Sequence, residues 1–215
     1  MRISLKQLYR RIRRLFFSNY IRSSELGHCE TSSRVDDSVI VSAPRNLYMY
    51  EHTNIDAGAV IMNTRAKFIM KKYSGAAIGL TVITGAHMSI IGKWFKQVSD
   101  NDKDVLDTNH EYDKDVIVEE DVWIASNVTI FHGVTIGRGA IIGGGSVIRT
   151  NIPPYAILTG NPAKIVGFKF APHEVIEHEK RLYSECDRLP LEILEKNYTK
   201  YFINRINEIK THTRL

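Results

Sequence analysis

The sequence predicts a mainly β fold, a parallel β-solenoid over residues 39–169 with helical segments before and after it. Three observations carry this. From Val118 to Pro153 the chain reads in sixes as VEEDVW, IASNVT, IFHGVT, IGRGAI, IGGGSV and IRTNIP, each opening on Val or Ile. A six-residue period matches neither the 3.6 repeat of a helix nor the simple alternation of a strand. It matches a coil in which each block is one flat face and one tight corner, with the β-branched first residue inward. The Gly, Asn and Asp of the middle positions take up turn conformations at little cost. Second, looser hexads open at Ile55 (IDAGAV), Ile61 (IMNTRA) and Ile78 (IGLTVI). Third, counting in sixes from Ile78 does not reach Val118, so a segment between them lies outside the coil.

Taken in order, residues 1–26 set Arg2, Lys6, Arg10, Arg11, Arg13, Arg14 and Arg22 against a single acid, Glu25. Leu5, Leu8, Ile12, Leu15 and Phe16 recur at three- and four-residue steps, so the segment reads as a basic amphipathic helix. Two readings stand for it: a cap over the open edge of the first coil, or a contact with an anionic membrane surface or lipid-linked glycan. No groove-reading or aromatic stacking motif accompanies the charge, which argues against nucleic acid. Residues 27–43 are polar and Ser-rich, and coils are expected from about Val39, with the register lost at Lys67–Ser74. The insertion, residues 91–115, is polar and too long for a corner. Such insertions project from one face and commonly shape a binding site, or are tolerated as surface loops. The repeat stops at Pro153–Pro154 because proline gives no ladder donor. Thr159-Gly160-Asn161-Pro162 is a turn signature. Pro172-His173-Glu174 opens a helical pattern through Val175, Ile176, His178 and Leu182, and a second is expected around 191–209. Residues 170–215 thus form a C-terminal helical cap.

The 215 residues suffice for one domain with a sizeable core. No run approaches the roughly 18 apolar residues of a membrane span, and the N-terminus has no apolar core of a secretory signal. Cys29 and Cys186 lie far apart and in no metal-type spacing, so free thiols are expected. These features fit a cytoplasmic enzyme.

The [Ile/Val]-Gly-x-x-[Val/Ala/Ser]-x pattern, with DVWIAS and IPPYAILTGNPAKIVG beside it, resembles the hexapeptide-repeat, left-handed β-helix acyltransferases. Among these it is most similar to the sugar O-acetyltransferases that modify maltose, galactosides and surface polysaccharides. The resemblance spans about Asn54 to Lys169. It implies a homotrimer, acetyl-CoA as co-substrate, and a histidine base where the coil gives way to its loop; no metal is expected, because the repeats hold no closely spaced His pair of the kind the zinc-binding γ-class carbonic anhydrases of this architecture need. Here that place is Thr84-Gly85-Ala86-His87, so His87 is the expected base. His132 is expected at a corner facing solvent, and His110 could line an acceptor pocket. The resemblance further implies that Trp123 packs on the pantetheine arm of CoA, that N–H groups near Ala125 and Ser126 meet the thioester oxygen, and that Gly143 and Gly144 leave room for the arm. Arg149 and Lys164 become partners for CoA phosphates. The family often has Thr-Lys where this chain has Arg149-Thr150, so the charge is displaced by one residue. No Cys or Ser sits in a nucleophile motif beside a base, which favours direct attack. A surface polysaccharide or its precursor is the expected acceptor. An amino sugar or an antibiotic is the rival, and a noncatalytic scaffold the remoter one.

Overall fold

A computed structural model describes residues 21–212; the amphipathic helix expected over 1–26 lies almost wholly outside the described residues. The chain winds through three parallel sheets. The first holds β1 (His28–Cys29), β4 (Leu47–Met49), β7 (Phe68–Met70), β10 (Val116–Val118) and β13 (Thr135–Ile136). The second holds β2 (Arg34–Val35), β5 (Asn54–Ile55), β8 (Gly75–Ala76), β11 (Trp123–Ile124), β14 (Ile141–Ile142) and β16 (Ala156–Thr159), and is closed by antiparallel β17 (Lys164–Phe168). The third holds β3 (Ile40–Val41), β6 (Val60–Met62), β9 (Thr81–Ile83), β12 (Thr129–Phe131) and β15 (Val147–Ile148). Each turn of the chain visits the sheets in that order, which makes a three-sided parallel β-helix.

The register explains why the repeat is legible only in part. Ile117 pairs with Thr135, Trp123 with Ile141 and Thr129 with Val147, a rise of eighteen positions, or three hexads. Earlier coils are longer: His28 pairs with Tyr48 and Tyr48 with Ile69, rises of twenty and twenty-one. The extra residues lie in corners, so the strands stay aligned while the six-residue count slips. Phe68–Met70 is therefore a regular strand where the hexad count had lost the register, and Phe68 and Met70 are fully buried. The helix also starts a coil earlier than Val39, at His28. Its first coil is Ser- and Asp-rich, and of β1–β3 only Val35, Val41 and Cys29 touch the core among the described residues, from partly buried positions.

The first residue of every strict hexad is inside: Val118, Ile124, Ile130, Ile136, Ile142 and Ile148 are at most 1% exposed. Val122, Val128 and Val134 of the fifth position join them, so the core is one column of aliphatic side chains. The described residues hold four α-helices: α1 (Asp100–Leu106) in the projecting loop and, after the coils, α2 (Pro172–Leu182), α3 (Leu191–Tyr201) and α4 (Ile206–His212). Glu179 of α2 is fully buried, where its carboxylate accepts from Tyr155 Oη at 2.9 Å, Arg138 Nη1 at 3.2 Å and the Leu189 N–H at 2.6 Å. Burial and the Glu179 hydrogen bond push the Tyr155 phenol well above its ordinary range. Tyr155 itself sits at φ 61°, and its ring would meet a Cβ on Gly139 at 2.4 Å, which is why that corner carries glycine. This knot fastens the C-terminal helices to the last coils. Among the described residues no helix is long and apolar enough to cross a membrane.

Candidate active site

Three corners run the length of the helix. The loop edge lies between the third and first sheets. Residues Thr64–Arg65, Thr84, His132–Gly133 and Arg149–Thr150 follow successive strands of the third sheet there, and from Thr84 the chain leaves the coil and returns at Val116. The loop is pinned at its foot. Ala86 N–H donates to Tyr112 O at 2.7 Å and Lys114 N–H to Thr84 O at 3.0 Å, an antiparallel bridge between Gly85 and Asp113. Within the loop, α1 begins with a capping box: Ser99 Oγ accepts from Asp102 N–H at 3.2 Å, and the Asp102 carboxylate accepts the Ser99 N–H at 2.8 Å. Lys93, with these Ser99 donors, holds the Asp102 carboxyl down to about 2. Burial works against the charge on Asp107, but the Tyr112 and Glu111 N–H groups outweigh it and its carboxyl stays below the usual range. The loop is thus internally hydrogen-bonded rather than loose.

His87 stands exposed beside this foot and lines a cleft of about 520 Å³ with Met62, Arg65, Ile83, Met88, Val98 and Lys103. Its ring meets Phe95 edge-on, centroids 4.7 Å apart at 76°, and has no hydrogen-bond partner among the described residues. An exposed imidazole with both nitrogens open can take a proton from an incoming hydroxyl. The floor of the cleft is an ion network that sequence reasoning passed over: Asp113 receives Arg65 Nε at 2.9 Å and Lys103 Nζ at 2.8 Å, and Arg65 also pairs with Asp104 and Asp100. The hydrogen bond from Arg65 to Asp104 raises the guanidinium pKa further. The only sequence signal was the density of alternating charge in the insertion. His110 is exposed, at φ 52°, and does not line this cleft. Half-buried His132 has a buried Nδ1 with no partner, so it does not simply face solvent.

The expected cofactor residues gather elsewhere. Ala125 and Ser126, then Gly143 and Gly144, stack one above the other on the edge between the second and third sheets: a Cβ on Gly144 would sit 3.2 Å from Ser126 O and 4.0 Å from Ala125 Cβ. Lys164 crowns this edge, paired in register with Thr159, whose side chain lies 2.8 Å from where a Gly143 Cβ would be. The strip is low and nearly free of side chains. Two of the expected donors are already engaged: Ala125 N–H donates to Ile142 O at 2.9 Å, and Lys164 Nζ lies 3.5 Å from Glu208 Oε1 of α4. Trp123 is 57% exposed on the outer face of the second sheet, between Gly75 and Ile141. Arg149 lies on the loop edge, its guanidinium 4.2 Å from the centroid of the Phe131 ring. A single chain therefore brings His87 and Arg149 to one edge and Ala125, Ser126, Gly143, Gly144 and Lys164 to another. Among the described residues no group of three or more His, Cys, Asp or Glu side chains could hold a metal ion.

Residues 115–150 match the family model described as bacterial transferase hexapeptide (six repeats). No curated protein matches the chain. Among solved structures, a hexapeptide-repeat-containing acetyltransferase of Vibrio cholerae O1 biovar eltor, complexed with acetyl coenzyme A, aligns with a TM-score of 0.58 and 23% identity over 78% of this chain and 80% of that one. A maltose O-acetyltransferase from Clostridium difficile aligns with a TM-score of 0.54 and 22% identity, covering 74% and 83%. An N-acyltransferase from Bacillus cereus, in complex with dTDP and 3-hydroxybutyryl-CoA, aligns at 0.52 and 17%, covering 69% and 74%. At these identities the likeness is one of fold. Residues 115–150 therefore carry the hexapeptide repeat, and the coil as a whole has the fold seen in hexapeptide-repeat acetyltransferases.

Proposed function

We propose that this protein is an acetyl-CoA-dependent O-acetyltransferase acting on a sugar hydroxyl, as a homotrimer, with His87 as the general base. The observation that carries the reading is an exposed histidine, with no hydrogen-bond partner among the described residues, in a cleft at the foot of the projecting loop. His87 takes the acceptor proton, the oxygen attacks the thioester carbonyl, the new C–O bond forms, and the C–S bond breaks to release CoA thiol. The strip from Ala125 to Gly144 offers the pantetheine arm a bed of backbone, and Ser126 N–H and Trp123 offer a donor and an apolar wall. Lys164 and Arg149 offer cations to phosphate. Because His87 and the strip lie on different edges, a threefold assembly that sets one subunit's loop edge against its neighbour's strip completes the site. A surface polysaccharide or its precursor, met in the cytoplasm, is the acceptor we favour, and the basic N-terminal segment would bring the enzyme to the membrane surface that carries it.

The test is thiol release from acetyl-CoA over a panel of sugars, amino sugars and glycan fragments, with CoA binding measured alongside. Wild type should turn over one acceptor class, and His87→Ala should lose at least about 10²-fold in kcat while binding CoA as before. Undiminished turnover by His87→Ala refutes the base. A wild-type protein that does not bind CoA refutes the enzyme.

A further inference from the structure

We infer that Lys103 and Asp113 form a positioning device that holds the His87 peptide in place from inside the projecting loop. Both ends of the Ala86 residue, immediately before His87, are fixed by the loop. Its N–H donates to Tyr112 O at 2.7 Å, and its carbonyl accepts from Lys103 Nζ at 2.8 Å. The same ammonium stands 2.8 Å from the Asp113 carboxylate. Lys103 and Asp113 side chains are only 11% and 10% exposed, so this is a nearly dry pair, in which geometry is better held than at the surface. Asp113 in turn receives Arg65 Nε at 2.9 Å, from the coil below. The chain of contacts thus runs from the coil through Arg65, Asp113 and Lys103 to the Ala86 carbonyl, one peptide from the imidazole. The His87 ring meets Phe95 edge-on and makes no hydrogen bond among the described residues, so no polar contact of its own fixes it and the backbone clamp sets its position. Neither Lys103 nor Asp113 needs to touch the reacting atoms.

The inference deepens the proposed function, since its kinetic half rests on His87 as base; its structural half does not. The experiment is amide hydrogen exchange and steady-state kinetics on the full chain carrying Lys103→Met, Asp113→Asn, or both. In Lys103→Met, peptides covering 84–90 should exchange about tenfold faster while coil peptides are unchanged. With the sugar acceptor, kcat should fall about 10- to 100-fold, as expected of a base displaced by about an ångström, and the acetyl-CoA KM should stay within about twofold. The double variant separates positioning from mere charge pairing. If Lys103 only neutralises Asp113, removing both charges restores exchange and kcat; if it holds the Ala86 carbonyl, the double variant stays as defective as Lys103→Met. Should Lys103→Met fail to fold, Lys103→Arg takes its place, because a planar guanidinium cannot set a single point charge between the two acceptors, and a smaller rise in exchange is expected. Unchanged exchange over 84–90, unchanged kcat in an active enzyme, or rescue by the double variant overturns the inference. A wild type without transfer activity counts against the acetyltransferase reading alone, and the exchange result still decides this one.

Discussion

Gly85→Ala tests the geometry of the loop foot most directly. A Cβ built on Gly85 lies 2.5 Å from Asp113 Oδ1, 3.7 Å from its Cγ and 3.8 Å from Tyr112 O. An ordinary contact begins at 3.4 Å, so the carboxylate has to retreat by most of an ångström. It is not free to swing: Lys103 at 2.8 Å and Arg65 at 2.9 Å hold it, and the Gly85–Asp113 bridge holds its backbone. Overpacking of this kind costs about 1–3 kcal/mol. At about 2–4 °C per kcal/mol for a chain of this size, a cost near 2 kcal/mol lowers the melting temperature by about 4–8 °C. The carboxylate, its cations and the Gly85–His87 backbone bridged to it must then shift together, and an ångström at His87 should cost up to about 10²-fold in kcat. Thermal unfolding at matched protein concentration and thiol-release kinetics measure the two effects. The Asp113→Ala background supplies the control, because without the obstructing oxygen Gly85→Ala should add little to either loss. A Gly85→Ala protein that melts and turns over like wild type, or one equally impaired with and without Asp113, refutes the reasoning.

Two further outcomes are expected. Glu179→Ala leaves Arg138, the Tyr155 hydroxyl and the Leu189 N–H without their buried acceptor. It should destabilise by about 3–5 kcal/mol, read by chemical denaturation, with faster hydrogen exchange in α2 and α3 preceding any change in the coil. Gly144→Val leaves the fold intact, since Gly144 is exposed and the new Cβ would lie 3.2 Å from Ser126 O, tight but tolerable. Its branches obstruct the strip between Ala125 and Gly144, so CoA should bind at least about tenfold more weakly, the equivalent of roughly 1.4 kcal/mol. Titration of CoA checks it, and unchanged affinity would take the strip out of the cofactor site.

What the sequence determines here is the coil. A β-branched residue every six positions forces one residue per face inward, and Val118, Ile124, Ile130, Ile136, Ile142 and Ile148 go where that rule puts them. It also marks that the coil is interrupted between Ile78 and Val118, because a projecting segment cannot keep the period; the family resemblance, not the period, singles out His87. The longer early coils stayed hidden, because two or three extra residues in a corner slip the count without moving a strand: Phe68–Met70 pairs as regularly as any other strand. Only the tertiary structure decides which edge each residue occupies. Ala125 and Gly144 meet on one edge because coils stack eighteen residues apart, and Lys164 joins them through the antiparallel pairing of β16 and β17, while Arg149, near Gly144 in sequence, falls on the loop edge with His87. The same holds for the clamp at the loop foot. Lys103, Asp113 and Arg65 are ordinary charges in the sequence, and their roles arise from a loop that returns to its own exit, where distance along the chain no longer measures distance in space.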